Sequence, residues 1–147
     1  MTMLGETNVL LVEDTMEHAI LIRRALERGK LRLRLFWVTD GKAALDYLYN
    51  EGAYTDKESN PIPDVILLDL RLPKLHGLKV LERIKSDETL RNIPVAVLTA
   101  SDEAKDLIGS YQLGAETFIT KPVAFLNKGE GAGVVLDVIL SLTGTSD

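Results

Sequence analysis

VILLD, residues Val65–Asp69, is a short apolar run that ends on an acid. Similar apolar runs occur earlier in the chain, at Val9–Val12, and later, at Val95–Leu98. A strand that is apolar on both faces is typical of the interior of a parallel sheet, because helices cover both faces there. We therefore predict three inner strands of one parallel sheet.

Two weaker segments complete the predicted sheet. Leucine alternates with arginine in Leu31–Leu35, so one face of this strand is exposed to solvent. We therefore predict that the strand lies at or near an edge of the sheet. Thr117–Thr120 fits a fifth strand. The connections between the strands are long enough for helices, which parallel crossovers require. The pattern predicts an α/β fold with a doubly wound, five-stranded parallel sheet.

Helical spacing of apolar residues replaces the strand pattern between these runs. The predicted stripes are Ala19, Ile22 and Leu26; Ala44 and Leu48; Val80, Leu81 and Ile84; and Ala104, Leu107, Ile108 and Tyr111. Glycines that suit a left-handed helix end follow three stripes, namely Gly29, Gly52 and Gly114. The candidate N-caps are Thr39 or Asp40 and Ser101 or Asp102. The segment Ala53–Pro63 is longer than a usual helix-to-strand connection of about 2 to 6 residues. We therefore predict that it forms a surface excursion.

The last segment is unusual because glycines precede an almost wholly apolar run. We expect the glycines within Asn127–Gly133 to interrupt a fifth helix, so that its secure part is Val134–Leu142. Only Asp137 and Ser141 are polar in that part, which predicts a partner surface, most simply a homodimer. A strand, or a helix packed under the long loop, is the alternative. Gly129–Gly133 superficially resembles a nucleotide-binding loop, but we interpret it as a flexible connection.

Composition excludes several classes of protein. The chain has 147 residues, of which 46% are hydrophobic and 27% charged, and this predicts a single domain over residues 1–147 with a core at 8–142 and no output domain. Its net charge of −5 has the wrong sign for nucleic acid or an anionic membrane. The absence of cysteine excludes disulfides and thiolate metal sites. Neither a signal peptide nor a run near the ~18 apolar residues of a membrane span is present, so we expect a cytoplasmic protein.

Four of the five predicted strands end in residues that can do chemistry. Glu13 and Asp14 follow the first strand, Asp69 ends the third and Thr99 the fourth, and the fifth runs into Lys121. Ligands of an open parallel sheet bind at these carboxyl ends. Clustered carboxylates require a hard dication, for which Mg²⁺ is the expected occupant. A carboxylate, a dication, a hydroxyl and an ammonium together favour phosphoryl transfer.

Each of these residues also has a simpler interpretation. Glu13 and Asp14 could merely cap the first helix, because acids are favourable at a helix N-terminus. Asp69 could be a solvated strand end, Thr99 an ordinary strand residue and Lys121 a surface charge. Their joint placement at the ends of one sheet favours the chemical interpretation.

As a set, these motifs resemble the receiver domain of two-component response regulators. The resemblance covers Asn8–Val123 and rests on five motifs: Val12-Glu13-Asp14, Leu67-Leu68-Asp69-Leu70-Arg71-Leu72-Pro73, His76-Gly77, Leu98-Thr99-Ala100-Ser101 and Thr120-Lys121-Pro122. Three further segments resemble the stand-alone regulators that act with bacterial phytochrome histidine kinases: Gly52-Ala53-Tyr54, Ile84-Lys85-Ser86-Asp87 and Arg91-Asn92-Ile93-Pro94-Val95.

The resemblance implies a role for each site residue. Asp69 would accept a phosphoryl group from a histidine kinase, and Mg²⁺ would be held by Glu13, Asp14, Asp69 and the main-chain carbonyl of Arg71. Thr99 and Lys121 would bind the phosphoryl oxygens, Phe118 would be the aromatic switch that follows Thr99, and the Lys121–Pro122 bond would be cis. It also implies the flavodoxin-like strand order 2-1-3-4-5.

Three functions compete at this point. The leading one is a phosphorylation-dependent switch with output by a protein contact or dimerisation, through the helix at Ala104–Tyr111, the fifth strand and the last helix. The second is a magnesium-dependent phosphatase with an aspartyl nucleophile, which typically has a second acid where Arg71 stands. The third is an interaction module that works without phosphorylation.

Overall fold

The computed structural model describes residues 6–27, 32–72, 75–99, 109, 112–120 and 130–143. Within them a five-stranded parallel sheet has the order β2-β1-β3-β4-β5, which confirms the predicted topology. The strands are β1 (Thr7–Val12), β2 (Leu33–Val38), β3 (Val65–Asp69), β4 (Val95–Thr99) and β5 (Thr117–Thr120). The helices are α1 (Met16–Glu27), α2 (Gly41–Leu48), α3 (Gly77–Ser86) and α4 (Glu130–Thr143), with a 3₁₀ turn at Gly52–Tyr54.

Helices cover both faces of the sheet. On one face, α2 and α3 pack through Ala44, Val80 and Ile84 against inner-strand residues such as Ile66 and Leu68. On the other face, a second cluster joins α1 and α4 to the sheet: Val9, Leu11, Ala19, Ile22, Leu26, Val65, Leu67, Ala96, Leu98, Ile119, Val135 and Ile139. Because β1, β3 and β4 bury side chains on both faces, their near-continuous apolar sequences are explained. The predicted edge strand is also confirmed, since β2 ends the sheet.

The strand register brings the carboxyl ends together. At that edge the pairs are Val12 with Val38 and with Leu68, Asp69 with Leu98, and Thr99 with Thr120. Residues that follow neighbouring strands therefore emerge side by side, although they are far apart in sequence.

Two helix starts are capped by side chains. Asp40 is the N-cap of α2, where its Oδ1 accepts from the Ala43 main-chain N–H at 2.7 Å. His76 caps α3, where its Nδ1 accepts from the Leu78 N–H at 3.1 Å. These bonds satisfy main-chain donors that the first helical turn leaves without a partner. The candidate caps Ser101 and Asp102 lie outside the described residues.

The end of α2 differs from the expectation that Gly52 would terminate it. The helix ends at Leu48, and Asn50 is the first residue with a positive φ, 53°, while Gly52 has φ 60° at the start of the 3₁₀ turn. Asparagine tolerates this left-handed conformation, and its Nδ2 also donates to the carbonyls of Tyr54 at 3.0 Å and Asn60 at 3.1 Å. The long loop is therefore a surface excursion, as predicted, but its own hydrogen bonds hold it together.

Gly114 has the expected positive φ, 104°. Gly29 and most of the helix predicted at Ala104–Tyr111 lie outside the described residues.

The start of the last helix corrects a prediction. α4 begins at Glu130 rather than Val134, so Gly131 and Gly133 are helical and the segment 130–133 is not a flexible connection. Burial of Val135 and Ile139 against α1 and the sheet outweighs the cost of about 1 kcal/mol that each glycine brings to a helix. The strand alternative is therefore wrong. No helix in the described part of the chain combines the length and the apolar character that a membrane crossing needs.

Candidate metal and phosphoacceptor site

Three carboxylates converge at the carboxyl edge of the sheet. Glu13, Asp14 and Asp69 each place one oxygen within 4.8 Å of the others. The cause is the parallel pairing of β1 with β3, which sets Val12 beside Leu68. Asp69, which is distant in sequence, therefore lies at one site with the adjacent pair Glu13 and Asp14.

Two of these acids are buried, which strengthens the repulsion between their negative charges. The Glu13 residue is 0% exposed and Asp69 is 6% exposed, whereas Asp14 is exposed. Like charges at this separation, shielded from water, oppose one another. An all-oxygen donor set suits a hard dication such as Mg²⁺, which binds through one or two carboxylates and keeps several waters. The exposed Asp14 leaves the cluster open to solvent on one side.

Glu13 is also held by contacts to α1. Its Oε2 accepts from the Thr15 main-chain N–H at 3.2 Å and lies 3.6 Å from Nδ1 of His18. The helix-capping interpretation of Glu13 is therefore realised in part, and it coexists with the acid cluster. These contacts fix the Glu13 carboxylate and leave Asp14 as the solvent-facing member.

Asp69 is oriented by the loop that follows it. Its Oδ1 accepts from the Arg71 main-chain N–H at 2.9 Å. The carbonyl of Leu70, the residue between them, accepts a hydrogen bond from the Gly77 N–H at 2.9 Å. The start of α3 therefore lies against the end of β3. The interpretation of Asp69 as a solvated strand end is wrong, because the residue is buried.

The remaining predicted residues are placed only in part. Thr99 ends β4, adjacent to the strand that carries Asp69, and Phe118 lies in β5. The structure describes the main chain of both residues but not their side chains. Lys121 and the predicted cis bond to Pro122 lie outside the described residues. The positions of the Arg71 carbonyl, the Thr99 hydroxyl and the Lys121 ammonium at the site stay predictions.

Sequence reasoning missed two residues that contact Glu13, namely His18 in α1 and Trp37 in β2. The indole of Trp37, in β2, donates a hydrogen bond to the Glu13 main-chain carbonyl at 2.7 Å. This contact joins residues that are 24 positions apart, so no local pattern indicates it. Only the pairing of β1 with β2 reveals it.

Replacement of the Asp14 carboxylate is expected to lower the affinity for Mg²⁺. We expect Asp14→Asn to weaken Mg²⁺ binding at least about tenfold, because a charged ligand becomes a neutral one. Isothermal titration calorimetry at constant ionic strength measures this change. Glu17→Gln is the matched control, since Glu17 is an exposed acid in the first turn of α1 and lies outside the cluster. Equal weakening by both variants would contradict a specific site, because it would show only a long-range charge effect.

Comparison with known proteins shows the family to which this chain belongs. Residues 9–127 match the family model described as the response regulator receiver domain. The chain belongs to this family of two-component signalling proteins.

Particular relatives narrow the resemblance. The chain is 48% identical over 118 residues to a probable methanogenesis regulatory protein, FilR2, of Methanothrix harundinacea, covering 80% of this chain and 73% of that protein. It is 41% identical over 113 residues to the response regulator Rcp1 of Synechocystis sp., covering 77% and 75%. The crystal structure of the phosphorylated cyanobacterial phytochrome response regulator RcpA matches with a TM-score of 0.85 and 36% identity, covering 97% and 98%. The Mn²⁺-bound form of Rcp1 matches with a TM-score of 0.77. The chain is therefore a receiver that resembles phytochrome response regulators.

Proposed function

We propose that this protein is a phosphoryl-accepting response regulator in which Asp69 receives the phosphoryl group from a sensor histidine kinase. The observation that carries the proposal is the convergence of Glu13, Asp14 and Asp69 within 4.8 Å at adjacent strand ends. Asp69 lies at the C-terminus of the strand between β1 and β4, where a ligand in the crevice outside the sheet would meet it.

The proposed reaction is a single displacement at phosphorus. A carboxylate oxygen of Asp69 forms the new O–P bond while the N–P bond of the kinase phosphohistidine breaks. The electron pair of the broken bond stays on the imidazole nitrogen, which takes up a proton. The attacking carboxylate has no proton to lose, so this step needs no general base.

The other predicted residues surround this step. Glu13, Asp14, Asp69 and the Arg71 carbonyl would hold Mg²⁺, which when bound supplies positive charge to the phosphoryl oxygens. Thr99 and Lys121 would bind those oxygens, and Phe118 would respond to the movement of Thr99. The Arg71 N–H already orients Asp69. We propose that the protein is a switch rather than an enzyme.

The proposed kinase is of the phytochrome type. The support is the likeness to Rcp1 and to the phytochrome response regulator RcpA. We place the protein in the cytoplasm, with residues 8–142 as the core of one receiver domain. We assign it neither a nucleic-acid nor a membrane partner.

The proposed output is association with a second copy through the segment Ala104–Tyr111, which is predicted to be helical, and through β5 and α4. Two features of the described residues support this surface. β5 is an edge of the sheet. A groove of about 350 Å³ between β5 and α4 is lined by Glu116, Thr117, Asp137, Val138, Ser141 and Leu142. The groove combines half-buried apolar residues with two exposed acids, Glu116 and Asp137, and an apolar centre with a polar rim is typical of protein interfaces.

Phosphorylation is expected to convert a monomer into a dimer. A phosphoryl group adds roughly −1.5 to −2 charges, and its pull on Thr99 and Lys121 biases two packings that differ by a few kcal/mol. Light scattering on a size-exclusion column measures the mass before and after treatment with Mg²⁺ and acetyl phosphate, and intact-protein mass spectrometry verifies the modification. An unchanged particle mass in a fully phosphorylated sample would reject dimerisation as the output.

A further inference from the structure

Trp37 makes a hydrogen bond that reaches from the edge strand to the acid cluster. In β2 it pairs with Leu11 of β1, and its indole extends past the end of that strand. Nε1 donates to the Glu13 main-chain carbonyl at 2.7 Å. The bond therefore lies on the main chain of a residue whose side chain belongs to the cluster.

The main chain of Glu13 is held twice from β2. Its N–H donates to the Val38 carbonyl at 3.0 Å, and its carbonyl accepts from Trp37. Glu13 is the first residue after β1, so the chain turns from strand to helix at this point. Two bonds from a neighbouring strand define the direction in which Glu13 and the following Asp14 leave the sheet.

The indole itself is anchored by apolar packing. One side of the half-buried ring borders an open groove of about 190 Å³ between α1 and β2, which Met16, Ala19, Ile20, Arg23 and Leu35 also line. Trp37 also packs against the buried cluster that joins α1 and α4 to the sheet. A ring held in this way keeps its N–H in one place, which a flexible donor would not do.

We propose that Trp37 is a positioning residue of the metal site: through the Glu13 carbonyl it fixes the spacing of the Glu13 and Asp14 carboxylates relative to Asp69 and thereby sets the affinity for a divalent cation. This inference rests on the proposed function, because it requires that the cluster bind the cation. A ligand set that is ordered before binding loses less conformational entropy when the cation arrives. Partners outside the ligand set commonly tune metal affinity in this way.

The test compares Mg²⁺ binding by the full chain and two variants. Trp37→Phe keeps an aromatic ring beside the groove and removes the N–H donor together with part of the indole ring system. We expect the Mg²⁺ dissociation constant to rise about threefold to tenfold, the range that one lost hydrogen bond gives. Leu35→Ala is the matched control, because Leu35 lines the same groove and faces the same cluster, yet makes no contact with Glu13 through a polar group. We expect this control to lower stability while leaving the dissociation constant within about twofold. Urea unfolding measures stability.

A spectroscopic readout separates positioning from general packing. The chain has one tryptophan, so the indole N–H gives a single side-chain signal in a proton–nitrogen correlation spectrum. We expect Mg²⁺ to shift this signal in the wild type and in Leu35→Ala, and not in Asp14→Asn at the same concentration.

The outcomes distinguish this inference from the function on which it rests. If the wild type binds Mg²⁺ but the indole signal does not move and Trp37→Phe binds equally well, the positioning role is overturned and the metal site stands. Equal weakening in Trp37→Phe and Leu35→Ala would also overturn it, since packing alone would then explain the effect. If the wild type binds no Mg²⁺, the proposed metal site fails and the inference fails with it.

Discussion

Replacement of Asp69 by asparagine is expected to reduce phosphoryl incorporation at least about a hundredfold, because an amide oxygen is a poor nucleophile at phosphorus. Asp69 is 6% exposed, and the bond from the Arg71 N–H orients its carboxylate. Intact-protein mass spectrometry after incubation with Mg²⁺ and acetyl phosphate, and separately with a phosphorylated histidine kinase, measures the incorporation.

The same variant is expected to keep its fold. Asparagine is nearly the same size as aspartate, and one negative charge disappears from a crowded acid cluster. In the absence of Mg²⁺ the free energy of unfolding should therefore be equal to or higher than that of the wild type. The stabilisation that added Mg²⁺ gives the wild type should shrink, because this linkage depends on affinity. A failed reaction can then be distinguished from a failed fold.

Glu17→Gln is the matched control for this experiment. It makes the same exchange of a carboxylate for an amide at an exposed position in the first turn of α1, outside the cluster. Glu17→Gln should accept the phosphoryl group as the wild type does. Undiminished incorporation in Asp69→Asn would move the phosphoacceptor to another residue and remove the basis of the proposed function.

Gly77→Ala should destabilise the protein, against the usual effect of this substitution in a helix. Alanine in place of glycine normally stabilises a helix by about 1 kcal/mol. Here the new Cβ would lie 2.5 Å from both the Asp69 main-chain oxygen and the Leu70 Cα, and 3.0 Å from the Leu70 oxygen. These are main-chain atoms of a fully buried strand end, so they cannot rotate away. We expect a net loss of about 1–3 kcal/mol in urea unfolding.

Gly77→Ala should also affect Mg²⁺ binding at the acid cluster. α3 begins at Gly77, whose N–H donates to the Leu70 carbonyl, so displacement of the helix moves the segment that carries Asp69. We expect weaker Mg²⁺ binding by the folded fraction of Gly77→Ala, measured at low temperature where the variant is folded.

Gly109→Ala provides the comparison. Among the residues that the structure describes, a Cβ at that position would meet the Leu78 methyl carbons, at 3.7 and 3.9 Å, which is ordinary contact. Gly109→Ala should therefore be neutral or stabilising by up to about 1 kcal/mol. If the two variants had the same stability, close approach at Gly77 would not be the reason for glycine there.

The parallel sheet and the identity of the clustered acids were predictable from the sequence pattern, whereas the strand order was implied by the resemblance to receiver domains. Apolar runs such as Val65–Leu68 indicate buried parallel strands, and Glu13, Asp14 and Asp69 stand directly at strand ends. The doubly wound topology then brings neighbouring strand ends to one edge. The glycines of α4 misled the same reasoning, because local propensity says nothing about the packing of Val135 and Ile139.

Periodicity and residue type, read along the chain, determined the fold class, the sheet and the candidate ligands, because these depend on patterns within a few residues. Only the tertiary structure decided how those ligands are held. The Trp37 bond to Glu13, the Asp69 bond to Arg71 and the contact of Gly77 with the end of β3 arise from how elements pack. The physical reason is that such contacts depend on distances of a few tenths of an ångström between segments, which no spacing of residues in one segment encodes.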